Sequence, residues 1–410
     1  MNTTLRRDAE AIARAAIAAV TPDAAVRRAL EGLSFPGRVY LVSVGKAGWR
    51  MAKAALDCLP VPIAGGFVVT KYGHVEHPLS GVTCFEGGHP VPDENGVGGT
   101  QAVLDMTADL TETDTVLLLL SGGGSALFEK PLVPLAQLQN ITDQLLASGA
   151  DITEMNTLRK RLSAVKGGRF ALHCAPARVE AVVLSDVLGD PLDAIASGPA
   201  HPDATTCAQA QAIAKKHHLT LSEAAQALLT QETPKTTENV HTQVIGSVRE
   251  LCRAAAAECG VLGYRPILLT DTLCCEAREA GSFLASVLAA HAREGERLAF
   301  LAGGETVVHL KGHGLGGRSQ ELALAAAKGL AGIPNAALIS VGSDGTDGPT
   351  DAAGGYVDGD TLSSLSAQGL DYDALLNDND AYHALQVVDG LILTGPTGTN
   401  VNDVTVALLG

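Results

Sequence analysis

Short aliphatic runs that end in Gly, Ser or Asp, each followed by an alanine-rich stretch of helical spacing, recur along the whole chain. That rhythm predicts βα units feeding a parallel sheet. In the first half the strands fall at Val39–Val44, Phe67–Thr70, Thr115–Leu120 and Val179–Leu184. The Leu5–Val20 stretch ahead of them reads as an amphipathic helix and not as a leader, since Arg6, Arg7, Asp8, Glu10 and Arg14 interrupt it. A polar region around Gln231–Asn239, with Pro234 as a breaker, closes this half. Beyond it a long helix is expected from about His241, then strands at Ile267–Thr270, Ala299–Ala302, Thr306–Leu310, Ala337–Val341, Leu391–Thr394 and Val404–Leu408. This second half is expected to be partly antiparallel, with a hairpin across Ala302–Thr306. The chain thus divides into 1–236 and 237–410, two α/β domains with a cleft between them, and ligands belong beyond the carboxyl ends of the strands.

Composition narrows the class. The 410 residues, 46% hydrophobic and 18% charged, describe a globular enzyme, and 45 glycines with 3% aromatics point to tight turns and aliphatic packing. With 29 basic against 45 acidic residues the net charge is −16, which excludes the broad basic face of a general nucleic-acid binder. Any phosphate site must then be built from local Lys or Arg, backbone N–H groups and a divalent cation. The 8 cysteines are scattered, with Cys274 and Cys275 adjacent and no CxxC pair, so reduced thiols in the cytoplasm are expected. No apolar run approaches the ~18 residues of a membrane span.

Several post-strand segments carry candidate chemistry. In VSVGKAG, Lys46 follows a strand and a glycine turn at the start of a helix, where anions are attracted, although neither GxxxxGK[ST] nor GxGxxG is present. LLLLSGGGSALF ends a buried strand in Gly122, Gly123 and Gly124 flanked by Ser121 and Ser125. Bare backbone there lets successive N–H groups approach a phosphate. MNTLRKRLSAVKGG sets Arg159, Lys160, Arg161 and Lys166 on or beside one helix, with Arg159, Ser163 and Lys166 able to share a face; a solvated charged helix is the plainer alternative. After Val179–Leu184, Asp186 and Asp190 offer carboxylates for Mg²⁺, or Asp186 a base for a hydroxyl proton and Asp190 a turn cap.

Downstream, AGGET and GHGLGGRSQE bring Glu305 and Arg318 to a glycine-rich loop entering a helix, the best lid candidate. SVGSDGTDGPTDAAGG adds Asp344, Asp347 and Asp351, equally suited to a metal or ligand site and to an array of Asx turns. GPTGTNVND is a further polar loop. His74 and His77 lack a third ligand for zinc, and His89 in GGHPVPD shapes the cleft mouth or a turn.

Eight blocks, VGKAGWRMA, GGHPVPDENG, SGGGSALF, MNTLRKRLSAVKGG, SDVLGDPLDAIASGP, LAGGETVVHLKGHGLGGRSQELALA, SVGSDGTDGPTDAAGG and GPTGTNVNDV, run in order from about Val44 to Asp403. Together they resemble the MOFRL-containing glycerate kinases of the GckA/TtuD-like family, glycerate 2-kinase type. The resemblance implies an N-terminal Rossmann-like α/β domain, a C-terminal α/β domain containing the MOFRL region, and phosphorylation of D-glycerate at the 2-hydroxyl by ATP with Mg²⁺. It also implies that Lys46 and Arg318 are cleft residues. On this reading Lys46, Arg318 and Asp186 act in transfer, Ser121, Gly122, Gly123, Gly124, Ser125 and Lys166 hold the nucleotide, and Asp186, Asp190 and Asp344 are the metal candidates. Some relatives are labelled hydroxypyruvate reductases, so NAD(P)H-dependent reduction is the alternative, disfavoured by the missing dinucleotide fingerprint. The partner is a small molecule and neither nucleic acid nor a membrane, with monomer and homodimer both open.

Overall fold

The computed structural model describes residues 2–293 and 295–410. They form two compact units, one spanning Pro22–Ile245 and the other joining the N-terminal segment up to Thr21 with Gly246–Gly410.

The Pro22–Ile245 unit is built on a six-stranded sheet of order β3-β2-β1-β4-β5-β6. Its strands are β1 Val39–Val44, β2 Ile63–Lys71, β3 Thr83–Gly87, β4 Thr115–Leu120, β5 Arg178–Leu184 and β6 Val240–Gly246. Strands β1 to β5 pair in parallel. Every residue of β1 and β4 is buried, because helices cover both faces of the sheet. This is why these strands read as unbroken aliphatic runs instead of alternating ones. Each fully buried Leu of β4 contributes roughly 1.5–3 kcal/mol. Chain order reverses between β1 and β4, the switch point where open α/β sheets leave a crevice at their carboxyl ends.

The other unit carries a second six-stranded sheet, ordered β11-β10-β9-β12-β8-β7. Here β7 is Arg265–Leu273, β8 Leu298–Gly304, β9 Ala336–Gly342, β10 Gly354–Asp358, β11 Leu391–Ile392 and β12 Asp403–Leu409. It is mixed: β7 and β8 are parallel, while β12 runs antiparallel to both β8 and β9. Its core joins Leu298, Phe300 and Leu338 of the sheet to Leu322, Ala326 and Leu330 of the helix Arg318–Leu330.

Four expectations need correction. The first helix, Thr3–Ala19, belongs to the unit with the C-terminal half, where Asp8 accepts hydrogen bonds from Tyr264 Oη (3.0 Å) and Arg297 Nη2 (3.1 Å). An amphipathic stripe reveals that a helix is covered but not by which sheet. The division near 236 falls instead after Ile245, because the stretch read as a helix from His241 is β6. The helix begins only at Val248, with the Ser247 hydroxyl accepting from Glu250 N. Thr306–Leu310 forms no strand or hairpin; Val307 makes an isolated bridge to Glu276, and Val307 and Leu310 are exposed. Finally, Gly354 and Gly355, which the sequence reads as the end of a glycine loop after Ala337–Val341, lie in β10, where a Cβ on Gly354 would stand 1.9 Å from Ser340 O. Glycine here marks close strand packing and not a turn.

Candidate active site

At the switch point of the first sheet the loops after β1 and β4 are fastened together. Lys46 N donates to Gly122 O (2.8 Å), and Ala47 N to Ser121 Oγ (3.0 Å). Gly45 has φ +110°, and a Cβ there would lie 2.3 Å from Ser121 Oγ, so only glycine permits this junction. Ser121 is therefore committed to the fold: its hydroxyl donates to Val44 O (3.2 Å) and is buried.

The backbone of Gly122–Ser125 is a different matter. Gly123, in the left-handed region at φ +86°, turns the chain into the short helix Gly124–Leu127. Among the described residues, the N–H groups of Gly122, Gly123, Gly124 and Ser125 find no acceptor. Adjacent N–H groups pointing one way form an anion nest. Lys46, whose Nζ also has no partner among the described residues, stands over it, with Cγ 3.3 Å from where a Gly123 Cβ would be. His89 closes another side, its Cδ2 3.0 Å from the same point. Burial, followed by the charges of Lys46, Lys71 and His74, pushes the His89 pKa down, so the ring is neutral near pH 7 in a positive surrounding. Asp186 meets the nest from β5; a Cβ on Gly122 would lie 2.0 Å from its Oδ2. Lys46, Gly122, Gly123, Gly124 and Asp186 are thus brought together.

Besides Ser121, other side chains expected at the nucleotide are engaged within the fold. Lys166 is wholly buried, donating to Phe128 O (2.7 Å) and pairing with Glu129 (3.2 Å), while burial pushes its pKa down. It anchors the segment behind the glycine loop and presents no charge to a ligand. The shared face of Arg159, Ser163 and Lys166 does not exist, because the helix Ile152–Leu162 ends before Ser163, which bridges to Pro131. Ser125 contributes its N–H, since its hydroxyl is engaged with Ser197 Oγ at 3.0 Å.

The aspartates do not make one preformed metal cage: among the described residues no three His, Cys, Asp or Glu side chains are grouped to hold an ion. Asp190 Oδ1 is nevertheless buried with no hydrogen bond among the described residues, an orphan acceptor in the loop that also carries Asp186. Mg²⁺ bound through one or two carboxylates and substrate phosphates fits this donor set. Asp344 is in an Asx turn, accepting from Thr346 N (2.9 Å).

In the second unit the Arg318 fork is taken up internally. Nε and Nη2 donate to Asp403 Oδ2 (2.6 Å) and Oδ1 (3.0 Å), and Nη1 to Glu305 Oε1 (2.6 Å). Burial opposes the guanidinium charge, but Asp403 and Glu305 outweigh it and raise its pKa. Burial, with Asp347 and Glu305 nearby, pushes Asp403 up to about 6 against the pull of Arg318. Asp347 caps the helix that begins at Arg318, accepting from Ser319 N (3.1 Å) and Gln320 N (2.8 Å), because Gly317 at the cap has no side chain. Arg318, Thr306, Gly316, Glu321, Asp344 and Asp347 line a cavity of about 620 Å³, a size suited to a small ligand. Sequence reasoning gave Glu305 and Arg318 and put Asp403 in a polar loop without its partner, since its place at the start of β12 is clear only once β12 pairs with β8.

Comparison with known proteins places this geometry in a family. The model for a domain of unknown function, DUF4147, matches residues 8–230, and the MOFRL family model matches residues 298–403. A D-glycerate 2-kinase of Thermotoga maritima is 51% identical over 411 residues, covering 99% of this chain and 98% of that protein. The crystal structure of a Thermotoga maritima glycerate kinase superposes with a TM-score of 0.95 at 51% identity, covering 99% of this chain and 100% of that one. An Agrobacterium vitis relative bearing a hydroxypyruvate reductase name is 39% identical over 91% of this chain and 88% of its own length.

Proposed function

Because the chain belongs to the MOFRL-type glycerate kinase family, we propose that it transfers the γ-phosphate of ATP to D-glycerate, giving 2-phosphoglycerate. The observation that carries this reading is the nest of N–H groups at Gly122–Ser125 beside the Lys46 side chain, all without partners among the described residues, at the switch point of a parallel sheet. In a chain of net charge −16, such a local concentration of donors suits an anionic phosphate chain.

In the proposed reaction the nest and Lys46 hold phosphoryl oxygens and neutralise charge that develops on them. Asp186, fixed against Gly122, accepts the proton of the attacking hydroxyl. Asp190, joined by Asp186 if that carboxylate binds metal instead of taking the proton, would hold Mg²⁺, which would supply charge neutralisation to the phosphates. In its own unit Arg318 orders Glu305 and Asp403 beside the cavity, and we assign it a role in the reaction on the family resemblance. Among the described residues no helix is long and apolar enough to cross a membrane. The eight unpaired cysteines suit a reducing cytoplasm.

Two assays separate the readings. ADP release that depends on both D-glycerate and Mg²⁺, with no oxidation of NADH or NADPH by hydroxypyruvate, is the expected outcome. Nicotinamide oxidation with hydroxypyruvate and no glycerate-dependent ADP would overturn the assignment.

A further inference from the structure

The basic cluster Arg159, Lys160, Arg161, Lys166 and Arg169 is almost entirely consumed by the fold. Lys160 pairs with Asp193 (3.0 Å) and Asp203 (3.3 Å), and Arg161 with Asp203 (3.3 Å). Lys166 pairs with Glu129, and Arg169 donates to the carbonyls of Lys160, Arg161 and Ser163. Arg159 is the exception. Partly buried, it makes no hydrogen bond and no ion pair among the described residues. The carboxylate whose charge it feels, Glu129, already holds Lys166.

One turn earlier on the same helix face, at i−3, lies Asn156, only 6% exposed. Its Oδ1 accepts from Ser197 Oγ (3.1 Å), and Ser197 Oγ is 3.0 Å from Ser125 Oγ at the end of the glycine nest. Ser197 has one proton and spends it on Asn156, so Ser125 must donate to Ser197. The Asn156 Nδ2 amide is left with no acceptor among the described residues. This relay is held by a tightly constrained backbone. Ala196 (φ 51°) and Ser197 (φ 59°) both lie in the left-handed region, and Gly167 N and Gly168 N donate to Ser197 O (3.1 Å) and Gly198 O (2.8 Å). Left-handed non-glycine residues are strained, and such conformations collect at functional sites. The Asn156 amide therefore adjoins the nest through a hydroxyl relay, and Arg159, a second donor without an acceptor among the described residues, follows one turn on along the same helix face.

We propose that Arg159 and Asn156 form a subsite for a small oxyanion. Its sources are the carboxylate of the acid substrate or a phosphate of the nucleotide; the identity of those ligands rests on the kinase reading above. An arginine fork takes either group through parallel N–H donors, and the Asn156 amide supplies a further donor.

The test compares Arg159→Gln and Arg159→Lys with the parent in steady-state kinetics, in calorimetric titration with D-glycerate alone and with Mg-ATP alone, and in thermal unfolding. Losing a charge-assisted hydrogen bond should weaken the bound oxyanion on the order of 10- to 100-fold in Arg159→Gln, with Arg159→Lys in between. A rise confined to KM and Kd for glycerate identifies the carboxylate, and one confined to ATP identifies the phosphate. The thermal midpoint should stay or rise, because an unpartnered, partly buried cation is removed. Unchanged binding of both ligands in Arg159→Gln, with a lowered midpoint, would overturn the subsite and make Arg159 a partner of Glu129. Because the titrations need no turnover, lost glycerate binding in a protein without kinase activity would leave the subsite standing and refute the kinase reading alone.

Discussion

Arg318→Ala should lose on the order of 10²-fold in kcat and also unfold several degrees below the parent. The sequence alone suggests a cleft arginine on a glycine-rich loop, replaceable without loss of stability; the Asp403 and Glu305 pairs change that. Removing one partner from a buried ion pair costs about 3–5 kcal/mol. The Arg318 side chain is 31% exposed and that of Asp403 11%, so screening reduces the cost to roughly 1–2 kcal/mol, or about 3–6 °C. The deficit has a defined pH dependence. Asp403 is raised from 3.8 to about 6 in the folded state, so the fold favours its neutral form. A carboxyl raised in this way contributes stability below its unfolded pKa and loses it as pH rises through the folded value. Without Arg318 the raised pKa climbs further, and the midpoint deficit should be larger at about pH 8 than at about pH 5. Arg318→Lys keeps the charge but not the fork to Asp403, so it should recover part of the stability and less of the kcat. A parent-like kcat in Arg318→Ala, together with the lowered midpoint, would confine Arg318 to holding the loop.

Gly122→Ala is expected to remove at least 10²-fold of kcat while the fold persists, the loss typical of a displaced general base. The new methyl would meet Asp186 Oδ2 at 2.0 Å and Cγ at 2.7 Å. A carboxylate can rotate away at little cost to stability, but not without leaving its place beside the nest. Gly122 has no left-handed φ, so the substitution does not strain the backbone as it would at Gly123. If the effect acts through Asp186, Gly122→Ala should add little to Asp186→Asn, since coupled residues are not additive. Parent-like kinetics in Gly122→Ala would remove Asp186 from the reaction, and full additivity in the double variant would show that Gly122 does not act through it.

The sheet of the first unit was legible because β1, β4 and β5 are buried on both faces and therefore spelt as aliphatic runs. β3 and β10 escaped because Thr83–Gly87 carries Glu86 and Gly354–Asp358 opens on two glycines, residues that local reading assigns to loops. At the site, sequence marked Lys46, the glycines and Asp186, since each follows a strand. It could not say which side chains would be consumed by the fold. Ser121 and Lys166 look like ligands in the sequence and are structural in three dimensions, whereas Arg159, among equally basic neighbours, keeps its donors free among the described residues. Asp403 and Asn156 acquire their roles from partners 85 and 41 residues away, Arg318 and Ser197, and no local pattern announces such pairs.

The reaction itself is tested most directly by following Mg-ATP and D-glycerate with the enzyme by phosphorus NMR. The γ-phosphate signal of ATP should be replaced by a phosphate monoester whose phosphorus couples to the single proton on C2, a doublet, as ADP accumulates in equal amount. Inorganic phosphate as the only new signal, or no consumption of ATP while hydroxypyruvate is reduced at the expense of NADH, would contradict it.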